Sequence, residues 1–107
     1  MSLTLRDAQH LCWKNFRKIN DALDVEGGKE WTPSAMVTDL TENVSEIAST
    51  VKSEGSGISG KQEAKDKLGT ELSNLLYMAF VLAEQYGIEL EESFLQTVND
   101  YVLKFIK

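Results

Sequence analysis

A chain of 107 residues, 42% apolar and 26% charged, reads as one soluble globular domain over residues 1–107. Its formal net charge of −6 excludes nonspecific binding to nucleic acid or to an anionic membrane, because both need a positive surface. It leaves room for a small anionic ligand, since a bound divalent cation supplies positive charge. The one cysteine, Cys12, rules out an internal disulfide and fits a reducing, cytoplasmic setting. A lone free cysteine reads as a small apolar helix residue. The first residues lack a basic start followed by a long apolar run, so no signal peptide is expected. The longest uncharged apolar run, Leu75 to Ala83, is too short to cross a bilayer as a helix.

Four helices and no strand are predicted. The first runs from Leu3 or Thr4 to Leu23. Leu5, Ala8, Cys12, Phe16, Ile19 and Leu23 recur at steps of three or four and make one apolar stripe. Gly27 and Gly28 break it. The second opens at Thr32 as cap and Pro33 as first helical residue, where proline's missing N–H costs nothing. Val37, Leu40, Val44, Ile47, Ala48 and Val51 form its stripe, and Ser53 to Gly60 closes it as a loop. The third runs from Lys61 to Tyr86, with Leu68, Leu72, Leu75, Ala79, Leu82 and Tyr86 inward and Gly87 as the stop. Between Leu75 and Ala83 it is apolar on every side. One small bundle would leave Tyr77, Phe80 and Val81 wet, which predicts a second subunit packed over them. The fourth runs from Leu90 to Ile106, with Leu90, Phe94, Val98, Tyr101 and Phe105 as its stripe. Short links predict an all-α antiparallel four-helix bundle whose core is completed by dimerisation.

Two patches of polar side chains stand out on a helical wheel. On the second helix the apolar arc centres between Leu40 and Val44. Asn43 then lies about 80° from that centre and Glu46 about 60° further round, while Glu42 points away from the core. On the third helix, Glu71 and Asn74 hold the same offsets, with Lys67 one turn earlier on the same flank. If the two helices pack antiparallel, four oxygen-bearing side chains converge, and hard cations such as magnesium or manganese take oxygen ligands. The spacing by itself is common in charged helices.

The residues in order carry a resemblance. "EWTPSAMVTDLTENVSEIAS", then "KLGTELSNLLYMAFVLAEQYGIELEESF", then "TVNDY" cover Trp31 to Asn99. They are similar to the MazG-like superfamily of all-α nucleoside triphosphate pyrophosphohydrolases. The family pattern has a Trp–Pro region, L-x-E-E-x-x-E-(I/L)-A, a loop, E-(L/I)-x-D-(V/L)-L with an apolar run, and a last helix with an asparagine. The resemblance implies hydrolysis of a nucleoside triphosphate to monophosphate and pyrophosphate, with magnesium (or manganese) as cofactor and a homodimer or homotetramer as the assembly. It places the metal ligands on Asn43, Glu46, Glu71 and Asn74. Two of these, normally acidic, are amides here, so the shell carries two negative charges instead of four. An amide still offers a carbonyl oxygen, but it cannot serve as a general base, which leaves Glu46 and Glu71 as the catalytic candidates. Trp31, Lys67 and Asn99 are the candidate substrate-binding residues. Val102 stands where relatives carry a basic residue. The departures admit an alternative: a catalytically degenerate MazG-fold module that binds nucleotide or serves in an oligomer. His10 reads as a surface histidine, and Gly55, Gly57 and Gly60 lack the lysine and hydroxyl order of a phosphate loop.

Overall fold

A threonine stands before each of the first two helices and caps it. Thr4 Oγ1 accepts the Asp7 N–H at 3.0 Å, and Asp7 Oδ2 accepts the Thr4 N–H at 3.4 Å. This reciprocal pair satisfies donors that a helix start leaves free. Thr32 Oγ1 likewise accepts the Ala35 N–H at 3.2 Å, with Pro33 following as the first helical residue, as its fixed φ favours. The computed structural model describes residues 2–25, 32–55, 57 and 60–106. Gly27, Gly28 and Trp31, and the side chain of Leu23, lie outside the described residues.

The helices are α1 (Leu5–Val25), α2 (Pro33–Gly55), α3 (Lys61–Gln85) and α4 (Leu90–Phe105). Among the described residues there is no strand and the fold is all-α as predicted, with most ends shifted by a residue or two and α2 running through Ser53 to Gly55 into the segment expected to be a loop. Gly87 stops α3 in the left-handed region at φ 67°. There Ile88 N–H reaches Ala83 O at 2.9 Å and Gly87 N–H reaches Glu84 O at 3.2 Å, the paired bonds that close a helix through a glycine. Among the described residues no helix is long and apolar enough to cross a membrane.

The chain divides into two compact units, Met1–Lys29 with Phe80–Lys107, and Glu30–Ala79. In the first, α1 and α4 pack on each other, and Phe16, Phe80, Val81 and Ala83 are buried. Trp13 stacks on Phe16 with ring centroids 5.8 Å apart. Phe80 and Val81 are therefore not the wet side chains that the all-round apolar stretch predicts. They are buried within one chain at 3% and 0% exposure, and Tyr77 is half-buried. What α3 leaves open is Leu72 and Leu76, on the half that belongs to the second unit.

The link between α3 and α4 is held by Gln9, itself 2% exposed. Its Nε2 donates to Ile88 O at 2.8 Å and its Oε1 accepts the Leu90 N–H at 3.1 Å. One amide thus satisfies two backbone groups that the turn strands. Arg6 adds an exposed ion pair to Glu89 at 2.9 Å. The hydrogen bond and charge of Glu89 push the guanidinium pKa further up, and an exposed pair of this kind contributes little to stability.

In the second unit the buried line of α2 is Met36, Asn43 and Thr50, and that of α3 is Ala64 and Glu71. Steps of seven are close to two full turns, so each set is one line along its helix. Val37, Val44 and Val51, one residue over, are half exposed. The buried face of α2 is thus rotated from the apolar arc centred between Leu40 and Val44. Hydrophobicity marks both flanks of that arc, but burial also requires a partner, and α3 is the other helix of this unit.

Candidate functional site

One hydrogen bond ties the two buried lines of the second unit together. Thr50 Oγ1 lies 2.7 Å from Glu71 Oε1 and 3.0 Å from the backbone oxygen of Glu46. Thr50 is 3% exposed and Glu71 4%. The contact joins α3 to α2 one turn beyond Glu46, so Glu71 faces a hydroxyl and not the acidic side chain expected across from it.

Two oxygens of the second unit have no protein partner. Glu71 Oε2 and Asn43 Oδ1 are both buried and accept no hydrogen bond from protein. Buried polar atoms are nearly always satisfied, and a buried acceptor without a donor suits a cation or an ordered water. The rest of the candidate set is placed differently. Glu46 and Asn74 are exposed, as is Lys67, and Asn74 lines a shallow groove on α3 with Lys65, Asp66, Thr70 and Ser73. Each i, i+3 pair is split, one member inside and one outside. This follows from its 60° spread across the edge of the buried face. Glu42 points outward as predicted. Asn99 is exposed on α4 in the first unit, and Trp31 lies outside the described residues.

The donors are chemically suited to a hard cation, being two carboxylates and two amide oxygens. Among the described residues no three His, Cys, Asp or Glu side chains gather as a metal cluster. A groove of about 660 Å³ opens in the same unit, walled by Val51, Ala64, Leu68 and Leu72 and reached by Lys61 and Lys65.

Outside this unit, His10 Nδ1 approaches Glu84 Oε1 at 2.6 Å. The contact is an ion pair when the imidazole carries its proton. Cys12 is half-buried, and partial burial pushes its thiol above the ordinary value. It is therefore a weak nucleophile. Comparison with protein families, with curated proteins and with solved structures returned no match.

Thr50 is the residue that sequence reasoning passed over. Its signal was its position, seven residues after Asn43 on the same line of the helix, but a threonine near an apolar stripe is unremarkable without knowledge of what lies opposite.

Proposed function

We propose that the protein is a magnesium- or manganese-dependent nucleoside triphosphate pyrophosphohydrolase of the MazG-like kind, working in the cytoplasm. Glu71 carries the reading. It is a buried carboxyl with one oxygen held by Thr50 and the other facing no donor, and buried polar atoms are nearly always satisfied. It stands at the position where the resemblance puts a metal ligand.

Asn43, Glu46, Glu71 and Asn74 are the residues that would hold the cation, which when bound neutralises charge on the phosphates. Glu46 is the exposed carboxylate of the set and can accept a proton from water, which the amides cannot. Lys67 offers a positive charge to phosphate, and Asn99 offers hydrogen bonds. Trp31 offers a ring on which a base can stack. The test is release of pyrophosphate from a panel of ribo- and deoxyribonucleoside triphosphates with magnesium or manganese. Glu71→Ala is expected to lower the rate at least a hundredfold, about 3 kcal/mol of barrier. Wild-type release no faster than that of the variant defeats the reading.

The second reading, a degenerate MazG-fold nucleotide-binding or oligomeric module, is favoured by α4, none of whose residues is buried. Phe94, Val98, Tyr101 and Phe105 follow one another at steps of four, three and four, and all are 44–70% exposed. That is the spacing of a helix–helix seam. With Val102 and Ile106 beside them, these six side chains average roughly 100 Å² of exposed surface, so two copies have about 1,200 Å² to bury, the lower bound of a stable interface. Two-fold symmetry lets one such seam serve both partners. The occupant is therefore a second copy of this chain, as a homodimer or within a homotetramer. Val98→Asp is expected to give monomers in sedimentation velocity at micromolar concentration. A wild type that is already monomeric, or a variant that still assembles, rejects this interface.

A further inference from the structure

We propose that Thr50 is a positioning residue for Glu71, fixing which carboxyl oxygen is available to a divalent cation. This rests on the cation-binding reading above and adds a residue to it. The hydroxyl has one proton and two acceptors in reach, Glu71 Oε1 at 2.7 Å and the Glu46 backbone oxygen at 3.0 Å. The Glu46 carbonyl can also be served by the helix's own amide ladder. The Glu71 oxygen has no such second source, and the shorter contact is the one to it. Donation to Oε1 occupies that oxygen and leaves Oε2, buried and unpartnered, as the free ligand atom.

The side chain that does the holding is itself held. Thr50 is β-branched, so its χ1 is stiff on a helix, and the rotamer that reaches back toward the i−4 carbonyl is one of the two it favours. That rotamer is the one observed, with Glu46 four residues earlier. The restricted χ1 of the helix thus sets the threonine, and the threonine, giving its one proton to Oε1, sets Glu71. Partners that orient a metal-binding carboxylate commonly matter tenfold to a hundredfold for affinity.

The test compares wild type, Thr50→Val, Thr50→Ser and Glu71→Gln, each checked for helix content by circular dichroism. The first readout, made without metal, is the Glu71 side-chain carboxyl carbon resonance. The second is manganese(II) affinity by electron paramagnetic resonance. Thr50→Val is expected to move the Glu71 resonance and weaken manganese binding roughly tenfold to a hundredfold. Thr50→Ser, which keeps the hydroxyl, is expected to restore both. A Glu71 resonance unmoved in Thr50→Val overturns the proposal, as does manganese affinity equal to that of a binding wild type. If the resonance moves and serine restores it, but wild type and Glu71→Gln alike fail to bind manganese, the positioning of Glu71 stands. In that case the cation reading of the site falls instead.

Discussion

Replacing Glu71 with methionine is expected to stabilise the folded protein by about 1–3 kcal/mol, the cost of a buried polar atom left without a partner. The carboxyl is 4% exposed and one of its oxygens has no partner, so its desolvation is incompletely compensated. Methionine is unbranched and adapts to an irregular space. Removing the acid strands nothing, because the Thr50 hydroxyl keeps the Glu46 backbone oxygen at 3.0 Å. The opposite change, loss of the Thr50 hydroxyl, leaves a buried acceptor unmet and therefore has the opposite sign. Urea unfolding checks this, with a rise in midpoint at unchanged slope. A lower midpoint would show that Glu71 is a net structural asset. In the proposed enzyme the same methionine abolishes pyrophosphate release, so the position exchanges stability for chemistry, as functional sites commonly do.

Phe16→Ala is expected to cost about 3–5 kcal/mol, the usual range for deleting a buried aromatic ring. Phe16 is 1% exposed and stacks on Trp13, and the first unit has few other fully buried side chains to share the load. Total stabilities near 5–15 kcal/mol make that loss a large fraction of the whole. Leu11→Ala on the same helix, at 55% exposure, is the control and should change stability by no more than about 0.5 kcal/mol. Equal effects from the two substitutions would mean that the first unit is not organised around Phe16.

The helices were legible because their signals are local. Thr32 with Pro33 marks a start through one side-chain acceptor and one preset φ, and Gly87 marks a stop through a backbone region other residues avoid. The rotation of α2 was not legible. Val37, Val44 and Val51 are as apolar as anything on that helix, yet the line carrying Asn43 and Thr50 is the one that is covered. A wheel reports which side avoids water, not which part of that side meets another helix of the same chain. The same gap explains Phe80 and Val81, whose burial is not encoded in the pattern of their own helix. Asn43 and Glu71 could be named as candidates from spacing and resemblance. The hydroxyl opposite Glu71 could not, because a partner 21 residues distant leaves no mark on the local pattern.

Gln9 reaches Ile88 and Leu90 across about eighty residues of chain, and this has a consequence during synthesis. The first unit draws on both ends of the described chain, so α1 emerges from the ribosome well before its partners exist. At roughly 5–20 residues per second, it waits several seconds or more with the amide of Gln9 unmet. During that interval the second unit is the part that can form, and α1 is the segment most in need of protection from other nascent chains.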